Sequence, residues 1–136
     1  MTPENNILIV TPRMEELAAL CRSNTLIEAG LYREYDVKRG LRDVNGKGVL
    51  AGLTNISDII AQREVDGILQ PCPGELYYRG IRIEELVQGF VREGRKGYEE
   101  VAYLLLFGRL PDAKELGSFK SLLAQGRMLP TNFTRD

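Results

Sequence analysis

The chain has 136 residues, the length of one domain. Its 43% hydrophobic and 27% charged residues are those of a folded globular protein and exclude a disordered segment. A net charge of −1 leaves no whole-chain field for nucleic acid or an anionic membrane, so neither is expected as a partner. Basic residues cluster locally, at Lys38, Arg39 and Arg42 and at Arg92, Arg95 and Lys96. Each cluster has acidic neighbours and reads as solvated surface. The apolar run Ile7 to Val10 lacks a basic flank and is far shorter than the ~20 residues a membrane span needs. Two cysteines, Cys21 and Cys72, make neither a disulfide framework nor a metal site, and no histidine is present to complete one. Both thiols are expected to be reduced, in a cytoplasmic protein.

The first helix is expected over 12–23. Thr11 suits its cap, Pro12 its first position, and Glu15 and Glu16 the positive end of its dipole. Met14, Leu17, Ala18 and Cys21 recur at helical spacing, which makes Cys21 a core residue and not a nucleophile. A shorter helix is expected over 28–35. Asp43 to Gly48 is turn chemistry, with Asn45-Gly46 supplying positive φ.

A small antiparallel β element is expected within 49–79. Asp66-Gly67, between Ile59–Val65 and Ile68–Gln70, marks a hairpin, and Leu76 to Tyr78 suggests a further short strand. Pro71 and Pro73 cannot donate ladder bonds and belong at an edge or beyond the strand. The element should lean on the following helix or on a second chain, since an isolated hairpin is marginal.

The last third is helical again, over 83–94, 98–108 and 112–125. Ile83, Leu86, Val87, Phe90 and Val91 form one stripe, ended by Gly94. The next helix carries Tyr98, Val101, Ala102 and Leu105. Leu104, Leu106 and Phe107 make it apolar nearly all round, so burial on several sides is expected. Gly108 and Pro111 stop it. Asp112 and Glu115 have capping-box spacing for a helix bearing Leu116, Phe119, Leu122 and Leu123. Pro130 to Asp136 reads as a loop and the first turn of a helix that does not continue. The fold class is thus mainly α with a small antiparallel β element.

Motifs that would carry chemistry are weak. Gly46-x-Gly48 with Gly52 fails the spacing of a dinucleotide loop and reads as a turn. Ser57-Asp58 has no histidine to form a triad. The pairs Glu15/Glu16, Glu84/Glu85 and Glu99/Glu100 each open a helix, where dipole stabilisation explains them. Tyr77 and Arg79 should share one strand face, with Tyr78 on the other. A packed aromatic and a structural Arg–carboxylate pair are expected there.

Four blocks in order carry a family resemblance. They are Tyr35-Asp-Val-Lys-Arg-Gly-Leu-Arg42; Asn45-Gly-Lys-Gly-Val-Leu-Ala-Gly-Leu-Thr54 with Ser57-Asp58; Gly74-Glu-Leu-Tyr-Tyr-Arg-Gly80; and Glu99-Glu-Val-Ala-Tyr-Leu-Leu-Leu-Phe-Gly-Arg-Leu-Pro111. From about Leu31 onward the chain resembles the N-terminal part of the large domain in the shorter bacterial citrate synthases. The resemblance implies a mostly helical enzyme of large and small domains, and a homodimer. It implies condensation of acetyl-CoA with oxaloacetate to citrate and CoA. Acetyl-CoA is a substrate, and no cofactor is implied. In the family an aspartate takes a proton from the acetyl methyl. One histidine stabilises the enol or enolate, and a second assists attack on oxaloacetate, whose carboxylates are held by histidine and arginines. None of these residues maps onto this sequence, so no catalytic residue is assigned, cofactor-binding residues stay unknown, and no metal ligand is named. Arg39, Arg79 and Arg82 do not inherit the vacant roles. The chain alone is expected to be inactive, as an N-terminal fragment of the large domain. A 2-methylcitrate synthase is an alternative, and a free-standing interaction or oligomerisation module another.

Overall fold

The computed structural model describes residues 9–38, 40–43, 45–46, 48–127 and 133. The expectations for Ile7 and Leu8, for Arg39, for Val44 and Lys47 of the turn, and for 130–136 apart from Phe133 lie outside these residues. The described residues form five helices and one small sheet: α1 (Pro12–Thr25), α2 (Ala29–Glu34), β1 (Ser57–Val65), β2 (Ile68–Tyr78), β3 (Ile81–Arg82), α3 (Ile83–Arg92), α4 (Tyr98–Phe107) and α5 (Ala113–Gln125). The fold is mainly helical with a small antiparallel sheet of order β1-β2-β3.

Local signals start and stop the helices. Thr11 caps α1, its Oγ1 accepting from the Met14 N–H at 3.3 Å. Asp112 and Glu115 form a reciprocal capping box at α5, with bonds of 2.8 and 3.0 Å. At the end of α3, Gly94 turns left-handed at φ +65°. Its N–H donates to Val91 O at 3.0 Å, and Arg95 N–H donates to Phe90 O at 2.8 Å. These two bonds satisfy carbonyls that the helix leaves open.

The core sits where α1, α4 and α5 meet. Leu17, Tyr103, Phe107 and Phe119 are buried together, with Leu20, Cys21, Ala102, Leu122 and Leu123 packed around them. The three aromatic rings meet edge to face, with centroids 4.5, 5.4 and 5.8 Å apart. Cys21 is at the margin of this core. Ala18, expected on the same stripe, is exposed. The buried face of α1 runs instead through Leu17, Leu20 and Cys21, because α4 lies against that side. In α4, Leu104 is fully buried, whereas Leu106 is 43% exposed, so burial covers most of this helix but not all.

Gly97 lets α4 approach α3. Its φ is +70°, and an added Cβ would fall 2.6 Å from the Phe90 ring. Gly97→Ala therefore combines a strained backbone with a clash. It is expected to destabilise the fold by about 1–3 kcal/mol, read as a lower thermal midpoint. An unchanged midpoint would show that Phe90 can move aside freely.

The sheet departs from expectation in three ways. Its first strand starts at Ser57, and residues 49–56 are irregular apart from local bonds such as Lys38 N–H to Leu50 O at 2.9 Å. Leu76 to Tyr78 is not a separate strand but the end of an eleven-residue β2. Pro71 and Pro73 lie inside β2. A register shift makes this possible: Ile60 pairs with Glu75, while Gln62 pairs with Pro71. Cys72, Pro73 and Gly74 bulge opposite the single residue Ala61, and a bulge needs no ladder N–H there. Over this stretch β3 is absent, since it pairs only with Tyr77 and Tyr78. The Asp66-Gly67 turn forms as expected, both residues at positive φ, between the paired Val65 and Ile68. The sheet meets α3 through β2 and β3. All residues from Ala61 to Pro71 are exposed.

Candidate functional site

The turn Tyr78-Arg79-Gly80 lies at the junction of the helical core and the hairpin. Arg79 and Gly80 have φ of +49° and +81°, which reverses the chain from β2 into β3. The strand period therefore breaks at Arg79, and its side chain does not follow the face of Tyr77. Its N–H donates to Ile56 O at 2.8 Å. The guanidinium donates twice to Leu105 O, from Nε at 3.1 Å and Nη2 at 2.8 Å. Nη1 donates to Asn24 O at 3.0 Å, and to Asn55 O and Oδ1 at 3.2 and 2.9 Å. Asn55 Nδ2 also donates to Asn24 O, at 3.0 Å.

This replaces the expected Arg–carboxylate pair, for a physical reason. Asn24 is in the last turn of α1 and Leu105 in the last turn of α4. Carbonyls there have no intrahelical donor and mark the negative end of each dipole. A planar cation with a fork of donors satisfies both ends at once. Arg79 is consequently a structural clamp, with Nε, Nη1 and Nη2 all bonded to the protein's own oxygens. Asn24 and Asn55 complete it, and neither carries a sequence signal for that role.

A second cluster lies on the hairpin. Glu75 accepts from the Tyr77 hydroxyl and from Arg63 Nη2, both at 2.6 Å. The Tyr77 hydroxyl first, and Arg63 next, hold the Glu75 carboxyl below its ordinary range. The same bond raises Tyr77. The Cys72 thiol lies beside the Arg63 guanidinium. Both cysteines are free and half-buried. Ser57 and Asp58 line an open cleft of about 370 Å³ with Asn55 and Tyr77. The chain has no histidine to act as base for that serine. Arg82 meets Glu84 at 3.4 Å, on the surface. Among the described residues no group of His, Cys, Asp and Glu side chains is placed to hold a metal ion. No helix there is long and apolar enough to cross a membrane.

The third constellation joins α4 to α5. Arg109 grips Glu115 with a two-pronged bond of 2.8 and 2.5 Å. Its guanidinium carbon stands 5.8 Å from the centre of the Tyr103 ring. Burial, and then the Glu115 charge, raises the Tyr103 hydroxyl. Arg109 first, and the Asp112 backbone next, lower Glu115 from 4.5 to about 2. A depressed carboxylate contributes stability that is present above its unfolded value and lost as pH falls through its folded one. The melting temperature is therefore expected to fall as pH drops from about 4.5 to about 2. Glu75, also lowered, adds to the slope. Glu115→Gln should flatten it, and a variant with the wild-type acid profile would refute the assignment.

The paired glutamates behave as helix-end residues. Glu84 and Glu85 open α3, and Glu99 and Glu100 open α4. Glu100 is ion-paired with Arg95 and Glu99 with Arg127. The Gly46 turn closes locally, with Gly46 N–H on Asp43 O and Arg42 Nη1 on Gly46 O.

The family model described as citrate synthase, C-terminal domain, matches residues 40–136. The chain is 32% identical over 107 residues to the glyoxysomal citrate synthase of Cucurbita maxima, covering 76% of this chain and 19% of that protein. It is 42% identical over 57 residues to a citrate synthase of Saccharolobus solfataricus, covering 42% and 14%. It is 33% identical over 85 residues to 2-methylcitrate synthase 1 of Corynebacterium glutamicum, covering 62% and 17%. The chain thus spans at most about a fifth of the length of these relatives. No solved structure matches. The matched span holds Arg79 with its Asn55 and Leu105 partners, the sheet and α3 to α5, while Asn24 of the clamp precedes it; by this match the chain belongs to the citrate synthase family.

Proposed function

We propose that these residues form the scaffold at the N-terminal part of the large domain of an enzyme that condenses acetyl-CoA with oxaloacetate. The matching model carries a C-terminal label, so this placement rests on the order of the motifs. The observation that carries the reading is the Arg79 clamp. The arginine of the Tyr-Arg-Gly motif faces two helix ends and a loop, which is a framing role. The acid, base and carboxylate-binding groups of the reaction would come from residues outside this sequence. The chain alone would then be inactive, in keeping with its lack of histidine. Losing one positioned acid or base commonly costs a factor of about 10² to 10⁴. A cytoplasmic location goes with this reading.

The test is thiol release from acetyl-CoA in the presence of oxaloacetate. No release above background is expected from the 136-residue chain, and protein-dependent turnover would overturn the reading. The similarity to a 2-methylcitrate synthase favours a second reading, with propionyl-CoA as acyl donor. Running the assay on both thioesters, with the chain joined to the remaining segments of a family enzyme, separates the two.

A further inference from the structure

The cleft of about 370 Å³ beside the Arg79 turn has the size of a small-molecule site and a single charged wall. Its lining includes Thr54, Asn55, Ser57, Asp58, Ile60 and Tyr77, and Asp58 carries the only formal charge in it. Among the described residues the Asp58 carboxylate has no hydrogen bond and no ion pair. Glu75 and Glu84, by contrast, are matched by Arg63 and Arg82. Arg79, behind Asn55, is turned onto two helix ends whose polarity offsets its charge. Asp58 and Tyr77 are direct cross-strand partners in the β1–β2 ladder. Their side chains therefore share one face, with Cβ atoms about 5 Å apart. A cation held by Asp58 comes within the roughly 6 Å at which an aromatic ring attracts it.

We propose that this cleft binds a small organic ammonium ion. Its N–H groups meet Asp58 and the Ser57 hydroxyl, its charge lies beside the Tyr77 ring, and its carbon body rests on Ile60. The walls are held in advance. The Tyr77 hydroxyl donates to Glu75 at 2.6 Å, Arg79 and Asn24 hold the Asn55 side chain, and Thr54 Oγ1 accepts from the Ile56 N–H at 3.1 Å. Such bonds remove part of the ordering cost of binding. No basic side chain lines the cleft, so a phosphate or a dicarboxylate finds no counter-charge there. The site is thus separate from the condensation proposed above. One carboxylate in an open cleft makes binding weak, with a dissociation constant of about 1–10 mM.

An amide NMR titration of the 136-residue chain at constant ionic strength tests the proposal. The probe is butylammonium, with butanol and butyrate as its neutral and anionic counterparts. Butylammonium should give saturable shifts centred on Ser57, Asp58 and Tyr77, and the other two should bind at least about tenfold more weakly. Asp58→Asn keeps the shape of the wall and should weaken butylammonium about tenfold. Tyr77→Leu removes the ring and should weaken it about threefold. The same spectra show whether each variant is folded, and the comparison of the three probes on the wild type needs no variant. Absence of saturation by about 50 mM butylammonium would overturn the proposal. Butanol binding as tightly as butylammonium would overturn it too, because the cleft would then select hydrocarbon and not charge. So would a folded Asp58→Asn variant with wild-type affinity.

Discussion

Phe119→Ala is expected to destabilise the fold by about 3–5 kcal/mol, the usual cost of emptying a buried phenylalanine site. Among the described residues only six hydrophobic side chains are buried, and four of them form the cluster to which Phe119 belongs. Its ring contacts both Tyr103 and Phe107, so two edge-to-face pairs are lost together with the buried area. It is also the buried residue through which α5 joins α4. A domain of this size commonly has about 5–15 kcal/mol of stability. The loss therefore takes a large share. Urea unfolding should show a much lower midpoint, with the far end of α5 losing amide protection first. A fall smaller than about 1 kcal/mol would mean that the aromatic cluster is not the core.

The second large effect is expected at Arg79. Arg79→Met keeps the side-chain length and removes every donor. It leaves Leu105 O, at the end of α4, without its side-chain donor, and leaves Asn24 O, at the end of α1, with Asn55 Nδ2 alone. The expected cost is about 2–4 kcal/mol, because charge-assisted bonds to both helix ends are lost and one part-buried acceptor is left unmet, while little apolar volume is lost. Arg79→Lys should recover less than half of this. An ammonium group is a compact charge that cannot direct donors to Leu105, Asn24 and Asn55 at once. Chemical denaturation of the two variants measures the difference. A lysine variant as stable as wild type would show that charge alone suffices and that the forked geometry does not matter.

Much of the helical frame was legible because its signals are local. Thr11 with Pro12, and Asp112 with Glu115, announce helix starts within four residues of chain. Asp66-Gly67 announces a hairpin in the same way. The Arg79 clamp was not legible in this sense. Its acceptors are mostly backbone carbonyls, which every residue has, and they lie 24, 26 and 55 positions away. The carboxylate partner expected for it follows from charge alone and overlooks the charge at helix ends. The length of β2 was obscured for a similar reason. Pro71 and Pro73 argue against a strand until the bulge opposite Ala61 takes in Pro73, and until β3 is seen to stop short of Pro71, which pairs with Gln62 on one side alone. The exposure of Ala18 was hidden because a periodic stripe gives the apolar face of a helix without saying where its neighbour lies.

The clamp has a kinetic consequence. Its bonds close only after α1, α4 and the loop at Asn55 have arrived at one point, and the longest of them spans 55 positions. Contacts that close long loops carry their entropic cost before they give any return. Helices α4 and α5 can pack first through Tyr103, Phe107 and Phe119, whose ring contacts span few positions, and α1 joins them across the longer loop from Leu17 to Tyr103. The arginine then latches a structure already assembled. A contact made after the rate-limiting step acts on the rate of escape from the native state and leaves the rate of folding nearly unchanged. Arg79 thus governs how long the hairpin stays seated on the helical body more than how quickly it arrives.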